Sequence, residues 1–147
     1  MATKLRLTTK GFSQFEQALK VAEDKAVKVV SDAMLKAAKD FTQEIKAGAQ
    51  ARDLPQESLD AIMEPVVKNE HNVISCTAGF KLGEYGDGDG GGYIALYTEY
   101  GTPHRDEKYG RQSPDPFIAP ARDRAAKAYK KEVQAKLNNV LEEAVPK

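Results

Sequence analysis

Apolar residues recur at three- and four-residue spacing over a long early stretch: Phe15, Leu19, Ala22, Ala26, Val29, Val30, Ala33, Met34, Ala37, Phe41 and Ile45. Charged residues fill the positions between them. The pattern predicts an amphipathic helix of roughly 30 residues or more, on the order of 45 Å long. Ser13 and Glu16 have the spacing of a capping box, in which a hydroxyl and a carboxylate satisfy the first free amides. The helix is expected to end near Gly48. Before it, residues 4–9 alternate polar and apolar and predict a short strand ended by Gly11. Two readings of the long helix stay open. It is a core helix lying on a sheet, or part of its alanine-rich stripe is offered to a neighbour.

Downstream the pattern changes period. Asp53 and Pro55 predict the start of a second helix, with Asp53 as cap, and Pro65 limits its length. Residues 71–82 alternate, with Ile74, Cys76, Ala78, Phe80 and Leu82 on one face, and predict a strand. Residues 83–92 are rich in Gly and Asp. Residues 93–99 are aromatic and β-branched and predict a second strand, so the two strands and their loop read as an antiparallel hairpin. The next stretch, to about residue 119, is loop-rich. Pro120 suits a first helical turn, and Ala121, Ala125, Ala128, Tyr129, Val133, Leu137 and Leu141 mark the apolar face of a last helix running to about Glu143. The expected fold is α+β in one domain, residues 1–147: a long N-terminal helix and a C-terminal helix packed on a small antiparallel sheet.

Composition narrows the function classes. The 147 residues carry 22 basic and 22 acidic side chains, a formal net charge of zero. A dedicated nucleic-acid binder draws most of its affinity from excess positive charge, so neutrality lowers that expectation. The single cysteine, Cys76, allows no intrachain disulfide and suits a reducing compartment. The first residues lack the apolar run of a signal peptide, and no stretch approaches the ~20 apolar residues that span a bilayer. No membrane partner is expected.

Candidate chemistry is sparse. Asp87-Gly88-Asp89-Gly90 invites a calcium loop, but the fifth position would be Gly91 and the twelfth Thr98, neither of which supplies the required carboxylate. No Gly-Lys-Ser/Thr follows the glycines, and two aspartates repel phosphate. His104 sits near carboxylates, yet the only other histidine, His71, falls on a different element. Cys76 lies on an apolar strand face, where a structural thiol is the default. No catalytic residue, metal ligand or cofactor is expected. Charge is uneven: Glu84, Asp87, Asp89 and Glu99 give an acidic tip, followed by a net basic loop and helix. That arrangement suits head-to-tail pairing of identical subunits. A solvated surface with interspersed charges is the other reading. Loops suit partner contacts, so interface residues are expected in the Asp87–Gly92 loop, at Asp87, Asp89 and Gly90, and in the 103–115 loop, at His104, Arg105, Lys108 and Arg111.

Two short motifs are more specific. Residues 97–102 read Tyr-Thr-Glu-Tyr-Gly-Thr, and residues 116–121 read Pro-Phe-Ile-Ala-Pro-Ala. Glu-aromatic-Gly-Thr, a polar loop, then Pro-Phe-x-x-Pro-Ala opening a terminal helix resembles the HK97 gp10-like family of tailed-bacteriophage proteins, described as tail-component, tail-completion or neck proteins. The order of expected elements is similar too. Residues 51–59 and the Gly-rich stretch 83–92 depart from the family pattern. The residues have legible fold-defining roles. Glu99 and Tyr100 end the element, Gly101 permits a sharp turn, Thr102 bonds nearby backbone, Pro116 and Pro120 stiffen the helix entry, and Phe117 anchors it.

The resemblance implies a structural virion protein without enzymatic activity, made in the bacterial host cytoplasm and located at the head–tail junction. It implies a homo-oligomeric ring, a hexamer by family likeness, with tail-tube and connector or neck proteins as partners and DNA only as cargo passing through the channel. The alternative is a nucleic-acid-binding accessory protein using Arg122, Arg124, Lys127, Lys130 and Lys131 of the last helix. A small hydrolase or metal enzyme is a third class, for which no convergent nucleophile, base and orienter can be found.

Overall fold

The computed structural model describes residues 9–71, 73–82, 90–102 and 113–144. Its elements are α1 (Thr9–Ala51), α2 (Gln56–Asp60), β1 (Ile62–Glu70), β2 (Val73–Phe80), α3 (Gly91–Tyr100) and α4 (Ile118–Ala144). The fold is α+β, with the two expected helices and, among the described residues, a two-stranded antiparallel sheet. α1 is the spine. α4 packs along one side of it, and both strands pack along another. α3 rests on α2 at the end where the core is deepest.

α1 spans 43 residues, in keeping with a pattern that predicted more than 30, and it starts earlier than expected. Helix already holds at Thr9 and continues through Gly11 and Ser13, so neither a strand end at Gly11 nor a capping box at Ser13 stands. Residues 4–8 of the expected strand, and the side chain of Phe15, lie outside the described residues. Gly48 does not end the helix either. A Cβ there would lie 2.7 Å from Cδ2 of Phe117. The glycine lets an aromatic ring sit against the helix backbone. α1 ends three residues later, where Asp53 takes a left-handed φ of 51° and Leu54 N–H donates to Ala49 C=O at 3.1 Å. Asp53 thus terminates α1 and is not the cap of α2. Pro55 holds that cap position without a side-chain bond.

The expected strand over 71–82 appears as β2, trimmed at both ends. Ile74, Cys76, Ala78 and Phe80 are its more covered positions, alternating with exposed Val73, Ser75 and Thr77. Its partner is a correction. β1 precedes it, pairing from Ile62↔Phe80 to Glu70↔Val73. Pro65, expected to interrupt a helix, lies inside β1, where the register slips between Met63 and Val66. An edge strand tolerates proline because one row of its amides has no ladder partner. His71, expected on the strand, sits at the turn with φ 52°.

Residues 93–99 are the larger correction, because they are helical. α3 spans Gly91–Tyr100, and its buried positions are Gly91, Gly92, Ala95, Thr98 and Glu99, a helical spacing. Thr98 Oγ1 donates to Ile94 C=O one turn back, at 2.9 Å. A short apolar run cannot be assigned to strand or helix by periodicity alone. Close approach decides it here. A Cβ on Gly91 would collide with the Glu57 carbonyl, and one on Gly92 would lie 2.3 Å from the Lys81 carbonyl. Those glycines bring the start of α3 onto α2 and onto the chain leaving β2.

The core gathers at this end. Ile45, Ala49, Ala95, Phe117 and Ala121 are buried together, with Phe41, Leu54, Leu59, Ile62, Phe80 and Ile118 packed round them. Phe80 and Phe117 meet edge to face, with ring centroids 6.1 Å apart. Burying one such ring contributes about 1.5–3 kcal/mol. α4 begins at Ile118, which places Pro120 in its first turn as expected, and its stripe departs from expectation further along. Val140 is buried, whereas Leu141 and Ala128 are exposed.

Candidate functional site

The two motifs of the sequence are joined by one carboxylate. Glu99 is only 4% exposed. Its Oε2 accepts the Phe117 N–H at 2.7 Å and the Ile118 N–H at 2.8 Å, while Oε1 accepts the Ala119 N–H at 2.8 Å. These are amides that the start of a helix leaves without partners, and negative charge there suits the helix dipole. A side chain from the end of α3 therefore caps α4, eighteen to twenty residues along the chain. The three bonds also satisfy a carboxylate that burial would otherwise destabilise.

Neighbouring bonds close the same junction. Asp115 N–H donates to Thr98 C=O at 2.8 Å. Arg52, from the end of α1, donates to the Asp115 carboxylate at 2.7 Å, to Gly48 C=O at 3.1 Å and to Pro116 C=O at 3.3 Å. Its guanidinium lies 4.9 Å from the centre of the Phe117 ring, a cation–π distance. Gly101 leaves α3 with φ 75°, the left-handed conformation that glycine adopts without strain. These bonds fasten the end of α3 to the start of α4.

Away from the junction, α1 and α4 run antiparallel. Lys25 pairs with Glu143 at 3.0 Å, Lys36 with Glu132 at 3.4 Å, and Arg124 with Glu44 at 2.6 Å. Between successive pairs the residue numbers move by eleven and then by eight on both helices, in opposite directions. Such exposed pairs add little energy, but they fix the register. Lys136 donates to Glu132 and, with Lys36, holds that carboxyl below the usual carboxylate range.

The far end of this pair is thinly covered. From Glu16 to Asp32 no α1 residue is buried. Leu19 is 52% exposed, Val21 55% and Leu141 61%. An open groove of about 350 Å³ runs between the helices there, lined by Val21, Ala22, Val140 and Ala144 among others. Apolar surface left in this way is characteristic of a binding face.

Most residues expected at interfaces, namely Asp87, Asp89, His104, Arg105, Lys108 and Arg111, lie outside the described residues. Gly90 is the extended residue preceding α3. Tyr100 is well exposed, and Thr102 is half-buried. Of the basic residues on α4, Arg124 is held by Glu44, Arg122 lies 3.5 Å from Asp123, and Lys127, Lys130 and Lys131 face solvent. Cys76 is half-buried, and burial pushes its thiol pKa up, away from the reactive thiolate. Among the described residues no cluster of three His, Cys, Asp or Glu is placed to hold a metal ion, and no helix is long and apolar enough to cross a membrane.

Sequence reasoning missed Arg52 and Asp115, and it marked Gly48 as a helix end without its contact to Phe117. No local pattern shows these contacts, since each reaches a partner far along the chain. Comparison of the chain with protein-family models, with curated proteins and with solved structures found no match.

Proposed function

We propose that this chain is a structural virion protein of a tailed phage that assembles with copies of itself into a ring at the head–tail junction, as a tail-completion or neck component. The observation that carries the self-assembly reading is the thin cover of the α1–α4 pair. No α1 residue before Ala33 is buried among those whose burial is described, while Leu19, Val21 and Leu141 stand half exposed or more. A second copy packed there buries apolar surface that the single chain leaves in water.

The phage assignment rests on the paired motifs at residues 97–102 and 116–121, and the Glu99 junction gives that pairing a physical reason. Glu99 needs free amides from a helix start, and a Pro-Phe entry supplies them. The residues at the junction shape a building block. In this reading tail-tube and connector proteins dock on the ring, and DNA passes through it.

Negative-stain microscopy of the purified chain, alone and mixed with tail tubes, tests this reading. Rings, or caps on tube ends, are the expected images. Single particles of monomer size in both samples, at high protein concentration, would overturn it.

A further inference from the structure

The two strands of the sheet present unlike outer edges. β1 carries Pro65, which has no N–H, a register slip between Met63 and Val66, and charges at Glu64, Lys68 and Glu70. These are devices by which proteins keep a strand from pairing with another chain. β2, from Val73 to Phe80, has no charge and no proline. Its β-branched Val73, Ile74 and Thr77 suit a pleated sheet. Among the described residues the sheet has two strands, and none of them pairs with the outer row of β2 amides and carbonyls.

We propose that this edge is a strand-addition site whose occupant is residues 4–8 of a neighbouring copy of the chain. The inference rests on the reading of the chain as a self-assembling subunit, and it names the contact. The segment lies outside the described residues, immediately before α1. Its sequence places Leu5 and Leu7 on one face and Lys4, Arg6 and Thr8 on the other. Added to β2, the leucines extend the row formed by Ile74, Cys76, Ala78 and Phe80, and Arg6 joins the exposed row.

Length argues for a neighbour's segment over the chain's own. The base of β2 packs by Ile45, through Phe80. From Thr9 to Ile45, α1 covers about 54 Å at ~1.5 Å per residue. Eight residues reach at most about 28 Å when fully extended. A chain's own segment thus falls well short of the Phe80 end of β2. Donation from each copy to the next is a head-to-tail contact, the kind that closes rings.

The native Cys76 supplies the test. Leu5→Cys, Leu7→Cys and Arg6→Cys proteins are oxidised at a concentration where light scattering shows assembly, then run on non-reducing gels. A ladder of linked chains is expected from at least one leucine position. It is expected to vanish with Cys76→Ser and to be weak from Arg6→Cys, whose side chain faces away. Separately, deletion of residues 2–8 is expected to speed hydrogen exchange of β2 amides about tenfold or more in the assembled sample. An assembled protein that gives no ladder, an equal ladder from Arg6→Cys, only links within one chain, or unchanged β2 protection on deletion overturns the strand contact and leaves self-assembly standing. A full chain that stays monomeric throughout overturns both.

Discussion

The two ends of the α1–α4 pair are built on different terms. At the C-terminal end of α1, Ile45, Ala49, Phe117 and Ala121 are buried, and Arg52, Glu99 and Asp115 tie three elements together. At the other end the same two helices meet over small residues, with exposed ion pairs at the rim and apolar side chains in water. One end holds the chain in shape, and the other has surface to spare. The contrast implies that substitutions at the first end act on folding, while substitutions at the second act on association.

Glu99 is where that contrast is sharpest. Glu99→Ala strands three amides, two of them on partly buried residues and one on a buried residue. The expected cost is about 2–4 kcal/mol, from orphaned donors and a lost cap. Thermal unfolding followed by circular dichroism is expected to show a midpoint lower by about 5–15 °C. Glu99→Gln keeps one acceptor oxygen and is expected to lose less. Equal midpoints for all three proteins would remove the junction from the account.

Gly48→Ala is the next largest. Alanine gains helix propensity of about 1 kcal/mol over glycine. Its Cβ, however, would meet Phe117 at 2.7 Å, and overpacking of this kind costs about 1–3 kcal/mol. A net loss of about 1 kcal/mol in urea unfolding is expected, and a stabilised variant would show that the ring has room to move.

Glu132→Gln should have the smallest effect on stability. Its carboxyl pKa is depressed in the folded chain, so its contribution is present above the unfolded carboxylate value of about 4.3 and is lost as pH falls through the lower folded value. The variant is expected to unfold within about 2 °C of the parent at pH 7, with the difference shrinking as pH falls. A larger difference at pH 3 than at pH 7 would reverse the sign of the argument.

Which elements the sequence made legible follows from the same contrast. α1, α4 and β2 announce themselves because one face of each is repeatedly apolar, and periodicity records that directly. α3 was misread as a strand because Tyr93 to Tyr97 is apolar almost throughout, and its helical state is fixed by Gly91 and Gly92 pressing on the backbone of Glu57 and Lys81. β1 was hidden by Pro65 and its alternating charges, the same features that guard its edge. Glu99, Gly101, Pro116 and Phe117 were singled out as residues that shape the turn and the helix entry. The bond from Glu99 to the α4 amides was not foreseeable, since nothing local shows which distant donors a glutamate meets. Near its C-terminus the α4 stripe passes through Val140 instead of Leu141.

The central claim is that the thinly covered end serves association and not folding. Light scattering across a protein concentration series, on the native chain and on a Leu19→Ser, Val21→Ser, Leu141→Ser variant, tests it most directly. The account predicts that both unfold at nearly the same temperature. It predicts that the native chain scatters as a multiple of its 16.1 kDa mass, while the variant shifts towards 16.1 kDa. Identical masses for the two proteins at every concentration, or a variant that fails to fold, would contradict it.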